Sequence, residues 1–153
     1  MAESLRHAYR RFGGMKQSEV PWLVWLLENP DSPLALAGAI PLKEHDYLHI
    51  LLNRGKSPDD EAFIIGFTMG NDIHLNKIHI WIFKRVVRFL YPTDYRLTLK
   101  QLESFDLGLQ LGKQLPTKNL CRFDYSSVES WSVDRVRAIL HLNPMVSLAK
   151  SDR

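Results

Sequence analysis

The chain has 153 residues, 45% of them hydrophobic, with a formal net charge of +3 and a pI of about 9.1. That length suits one domain with its own core. The basic excess is slight and includes no Lys/Arg tract able to follow a phosphate backbone, which argues against a nucleic-acid partner. A single cysteine, Cys121, excludes an intrachain disulfide and points to a reducing compartment.

In chain order the signals are helical. SLRHAYRRF predicts a short helix closed by Gly13-Gly14. SEVPWLVWLLENP predicts a second, capped by Ser18 and stopped at Pro30, with Trp22 and Trp25 as a core stripe or part of a dimer face. NPDSPLALAG reads as a turn leading into a short apolar helix that stops at Gly38. A helix follows over residues 42–53, with Gly55 as its left-handed terminator. Ser57 then caps a helix that starts at Pro58 and runs to Gly70.

Residues 75–91 mix helix and strand propensity, and periodicity decides for an amphipathic helix. Lys77, Trp81, Lys84, Arg85 and Arg88 share one arc, opposite Ile80, Ile82, Phe83, Val86, Val87 and Leu90. The basic arc with Trp81 is either a solvated face or a contact with an anionic membrane surface. Thr98-Leu-Lys-Gln101 predicts a capping box opening a helix to about Lys113. On it Gly108 and Gly112 lie one turn apart and invite a close backbone neighbour. Pro116 ends that helix, and Ser132 caps a last one, VDRVRAILHL. The expected fold is an all-α, single-domain helical bundle over residues 1–143 with a loose tail over 144–153.

The N-terminal MAESLRHAYRRFGG has no secretory apolar core, and no run of about 18 apolar residues suggests a membrane span. The expected location is cytoplasmic, with peripheral attachment to a membrane left open.

One stretch carries chemistry: EHDYLHILLNRGKSPDDE, residues 44–61. On a helix, His45 and His49 stack one turn apart, the arrangement of helical two-histidine metal sites. Asp46 lies at the edge of that face. If the two helices of the hairpin run antiparallel about a turn between 53 and 58, Glu61 comes level with His49. Two imidazoles and two carboxylates then form a four-ligand site whose charge cancels a divalent cation. The set suits Zn²⁺, Fe²⁺ or Mn²⁺ and is too nitrogen-rich for Ca²⁺ or Mg²⁺. Asp46 is the least secure ligand. Its angular offset also suits orienting a metal-bound water, a catalytic role.

His45-Asp46-x-x-His49, eleven residues, then Glu61 resembles the metal signature of the ubiquinone (coenzyme Q) biosynthesis family named after the fourth gene of that pathway. GFTMGND and LGLQLGKQLPTKNLCRFDYSSVESWSVDRVRAIL resemble its later segments, so the likeness spans about residues 18–142. The resemblance implies an all-α fold and a divalent metal, usually zinc, on His45, Asp46, His49 and Glu61. It also implies a role in ubiquinone biosynthesis on a prenylated hydroxybenzoate precursor, with C1 decarboxylation and hydroxylation, a lyase-type activity. The alternative is a non-enzymatic isoprenoid-binding or scaffold protein of a biosynthetic complex, with a structural metal. Under the resemblance the prenyl tail would lie along helices 58–70 and 98–113, where Gly66, Gly108 and Gly112 would leave space. The His-Asp pair also resembles that of metal-dependent HD phosphohydrolases, which need an earlier His and a later Asp. Here His7 and Asp72 are the nearest candidates. His74 and His79 are read as structural or exposed, His7 and His141 are isolated, and Cys121, in an expected loop, is assigned no catalytic role.

Overall fold

The computed structural model describes residues 2–14, 24 and 27–143. The expected Ser18 cap, the Trp22/Trp25 stripe and the tail from 144 onward lie outside the described residues. Among the described residues there are six named α-helices and no strand, an all-α fold. They are α1 (Leu5–Phe12), α2 (Leu42–Leu51), α3 (Pro58–Asn71), α4 (Lys77–Phe89), α5 (Leu99–Gln114) and α6 (Val133–Ile139).

The helix starts follow the local chemistry. The hydroxyls of Ser4, Ser57, Thr98 and Ser132 each accept a backbone N–H of the following first turn, satisfying donors that a helix leaves orphaned. Thr98 and Gln101 complete the reciprocal capping box. Asn76, which the sequence reading passed over, caps α4 by accepting from Ile78 and His79.

One helix end and one expected helix differ from expectation. α2 is terminated by Asn53, not Gly55. Asn53 takes φ 54°, and the N–H groups of Arg54 and Asn53 return to the carbonyls of His49 and Ile50. This is a Schellman closure, with asparagine tolerating the left-handed region. Residues 30–39 form turns rather than an apolar helix. Gly38 sits at φ 83° with its backbone against Met69, where a Cβ would stand 2.4 Å from the Met69 nitrogen. Its N–H donates to Asp72 Oδ2 at 2.9 Å, so this donor is satisfied without helix.

The centre of the bundle is the α3–α5 pair. Each helix carries a glycine pair one turn apart: Gly66 and Gly70 on α3, Gly108 and Gly112 on α5. A Cβ on Gly66 would lie 2.0 Å from the Phe105 carbonyl oxygen, and one on Gly108 would lie 2.1 Å from that of Phe63. The backbones therefore touch. The space at Gly66, Gly108 and Gly112 is filled by the partner helix, which corrects the expectation that a lipid tail runs there. Phe63, Phe67, Leu48, Leu51, Leu120 and Tyr125 fill the core on one side. Phe83, Phe105, Met69 and Tyr91 fill it on the other, with the Phe83 and Phe105 rings stacked at 4.9 Å.

On α4, Phe83 and Val87 are buried as the periodicity requires, and Trp81 on the basic arc is 61% exposed. Leu90, expected on the apolar side, is 65% exposed, because it is the C-cap where the chain turns away toward Tyr91. Among the described residues no helix is long and apolar enough to cross a membrane.

Glu129, in the turn before α6, ties α1 and α2 to that turn. Its carboxylate accepts from Tyr47 Oη at 2.5 Å, from Arg6 Nε at 3.2 Å and from the Lys43 ammonium. The Lys43 hydrogen bond first, then Tyr47, holds its pKa down at about 2. A depressed carboxylate stabilises the fold above its unfolded pKa and loses that contribution as pH falls through the folded one. Glu129→Gln is therefore expected to cost about 2 kcal/mol at neutral pH. The difference from wild type should shrink between the unfolded value of 4.5 and about 2. Urea titrations at pH 7 and pH 3 check this, and a gap that does not narrow at the lower pH would contradict it.

Candidate metal centre

α2 and α3 form the hairpin that the sequence predicts. One turn apart on α2, the rings of His45 and His49 lie 4.8 Å from each other. Glu61, in the first turn of α3, faces both. Its Oε1 is 3.4 Å from His49 Nε2 and its Oε2 is 3.7 Å from His45 Nε2. These three residues form a group whose ligand atoms all lie within 4.8 Å of one another, and they could hold a metal ion. Around a tetrahedral zinc with bonds of about 2.0–2.1 Å, neighbouring ligand atoms stand about 3.3 Å apart. The separations to Glu61 need little contraction to reach that geometry.

The imidazoles are prepared for a cation. The His49 side chain is fully buried, and its Nδ1–H donates to the Gly55 carbonyl at 2.7 Å. That bond selects the tautomer with a lone pair on Nε2 and orients the ring, as supporting hydrogen bonds do for metal-bound histidines. The Nε2 atoms of both histidines are buried with no hydrogen-bond partner among the described residues. A buried polar atom left so is costly, and a ligand that takes both lone pairs removes the cost. Burial, then the charge of His49, pushes the His45 pKa down to about 4, against the pull of Glu61. Its imidazole is neutral at pH 7, as a ligand must be. Burial pushes the Glu61 carboxyl up, but the two imidazoles, His49 first, outweigh it and the net shift is down.

Asp46 stands outside the three-residue group. Burial raises its pKa to about 6; His49 and Lys56 pull it down, while Glu61 adds to the rise. Gly14, just past α1, lies against it, where a Cβ would be 1.8 Å from Asp46 Oδ2. The Phe12 ring, 5.5 Å from that of His49, continues this cover, and Lys56 lies over the Phe12 ring at 4.7 Å. The end of α1 thus roofs the α2 side of the site. The sequence reading took Gly13-Gly14 only as a helix stop and missed that role. It also missed the Gly55 carbonyl, whose signal was a glycine in the tight turn of the hairpin.

The geometry separates the four sequence candidates into three that converge and one beside them. Asp46→Asn is expected to weaken metal binding by no more than about 10–100-fold, the range for residues that support ligands rather than bind. His49→Ala should lose the metal. Calorimetric titration with Zn²⁺ distinguishes the two, and equal loss in both variants would place Asp46 among the ligands.

The other histidines do not join the group. His74 hydrogen-bonds Asp72 at 3.0 Å, and His141 meets Thr117 Oγ1 at 2.8 Å. Asp72 ends α3, about 16 Å of helical rise from Glu61. It is engaged by Gly38 and His74, so the phosphohydrolase pattern is not assembled. Burial pushes the Cys121 thiol up to about 11, away from nucleophilic reactivity.

Beside the metal group lies a cavity enclosing about 60 Å³. His45 forms part of its wall, with Leu36, Ile40, Met69 and Phe83 as apolar lining and Glu28, Asn29 and Thr68 as further polar residues. Two imidazoles and one carboxylate on a helical hairpin, opening beside an apolar cavity, define a candidate metal centre of an all-α protein. Comparison with known families, characterised proteins and solved structures finds no match for the chain.

Proposed function

We propose that the protein is a metal-dependent member of ubiquinone-type quinone biosynthesis, acting on a prenylated hydroxybenzoate precursor. The observation that carries this reading is the number of ligands. His45, His49 and Glu61 converge and Asp46 does not. Three protein ligands leave a coordination position for water or substrate, as in catalytic rather than structural zinc sites. The Glu61 side chain is 40% exposed, so that position is reachable. The resemblance of the hairpin motif to the ubiquinone family supplies the substrate class.

Zinc is the first choice for two imidazoles and a carboxylate, with iron or manganese as substitutes. When bound, the ion would act as a Lewis acid toward a ring carboxylate or phenolate. The chain's own residues do the rest. His49 is held in one tautomer by Gly55, Asp46 orients a polar group at the edge of the site, and the apolar wall excludes water from the ring. The glycine faces expected to hold the prenyl tail are occupied by helix packing, which bears on the enzyme and the scaffold readings alike; the open coordination position is what favours the enzyme.

The test incubates zinc-, iron- and manganese-loaded protein with a short-chain prenylated 4-hydroxybenzoate and follows loss of the carboxyl group by mass spectrometry. Metal-dependent loss that disappears in Glu61→Gln supports the proposal. Binding of the prenylated ring without turnover under any metal would sink the enzymatic reading in favour of the scaffold.

A further inference from the structure

The cavity beside His45 has a second polar end that the metal motif does not explain. Glu28 lines it, partly buried among apolar side chains. Tyr91, 2% exposed, donates its hydroxyl to Glu28 Oε1 at 2.6 Å. Both groups are held by backbone. The Ile40 N–H donates to the Glu28 carbonyl at 3.2 Å, and the Leu36 N–H donates to that of Leu27 at 2.9 Å. The Tyr91 N–H donates to the Val86 carbonyl at 2.9 Å, and Arg96 Nε donates to that of Tyr91 at 2.8 Å.

A carboxyl set into an apolar wall is costly to fold around, and an apolar pair would join these two segments without that cost. Its placement on the wall of a cavity shared with a metal-binding histidine is the pattern of a ligand-binding group.

We propose that Glu28, set by Tyr91, is a substrate-binding residue that donates a hydrogen bond to the carboxylate of an aromatic acid whose other side faces the metal. This rests on the metal-centre reading above and names the ligand chemistry of that site. Size supports it. A cavity of about 150 Å³ holds a benzene ring, so the 60 Å³ here holds a carboxyl-sized substituent, with the ring at its mouth. Protonation supports it as well. Burial raises the Glu28 pKa to about 7, against the Tyr91 hydrogen bond and with the charge of Glu61 adding to the rise. Below that pH the carboxyl is mostly protonated, and with Tyr91 on Oε1 its proton on Oε2 is free for a ligand. The cavity thus carries an O–H donor on one wall and a metal-binding histidine on another.

The test measures binding of 4-hydroxybenzoate and of phenol, which lacks the carboxyl group, to the zinc-loaded full chain. Wild type, Glu28→Gln and Glu28→Leu are compared by calorimetry, with zinc content determined for each. The amide of Gln still donates, so Glu28→Gln is expected to keep benzoate affinity within about threefold. Glu28→Leu is expected to lose about tenfold or more, the worth of one hydrogen bond to a charged group. Phenol should bind all three equally, and zinc content should not change. Unchanged benzoate affinity in Glu28→Leu would overturn the assignment. So would parallel loss of benzoate and phenol, which would make the Glu28–Tyr91 bond structural. A zinc-loaded wild type that ignores benzoate overturns the Glu28 assignment alone. A chain that takes up no zinc overturns the metal reading and this one with it.

Discussion

Titrated with Zn²⁺ from a metal-free state, the wild-type chain is expected to bind one ion, and Glu61→Gln to bind it at least about 100-fold more weakly. The lower bound follows from supporting residues, whose loss alone costs about 10–100-fold, and Glu61 is placed as a ligand. Its carboxylate lies 3.4 and 3.7 Å from the two imidazoles. Glutamine keeps the shape and removes the charge that balances the cation, so a folding defect does not confound the reading. His49→Ala should lose binding as well, and it also leaves a hole at a fully buried position. Binding should raise the thermal midpoint of wild type, because a ligand that favours the folded state stabilises it by mass action, about 2.7 kcal/mol at 100 times Kd. Glu61→Gln should show no such rise at the same zinc concentration. A midpoint that rises equally in both proteins would mean that the ion binds elsewhere.

The second large effect concerns the bundle. Gly108→Ala is expected to destabilise the protein by about 3 kcal/mol or more, or to prevent folding. The new carbon would lie 2.1 Å from the Phe63 carbonyl oxygen, and the clash is with backbone, which no rotamer change relieves. Relief requires α3 and α5 to separate along their whole contact, opening the core at Phe63, Phe67 and Phe105. Gly55→Ala is the control. Its added carbon meets only the Asp60 Oδ2 atom at 3.1 Å, the end of a side chain that can turn. Urea midpoints compare them, and a Gly108→Ala midpoint equal to wild type would refute the close packing.

The helices whose ends carry polar caps are legible from the amino-acid order alone. Ser57-Pro58, Thr98 with Gln101, and Ser132 act through bonds within a few residues, so neighbours in sequence suffice to read them. The amino-acid order also determines the pairing of His45 with His49, which needs only the helical repeat, and the level of Glu61, because a short turn leaves the hairpin little choice.

Features that depend on residues far apart in the chain emerge only on folding. Asn53 took the left-handed position that Gly55 could equally have filled. Residues 30–39 stayed in turns because Gly38 packs on α3 and donates to Asp72. Gly66 and Gly70 are understood only against Gly108 and Gly112, across the interface that their missing side chains allow. Asp46 shares the motif with the ligands, yet its helical offset and the cover of Gly14 leave it beside the metal group rather than in it. Glu28 had no local signal at all. Its meaning comes from a cavity built by residues that meet only when the chain is folded.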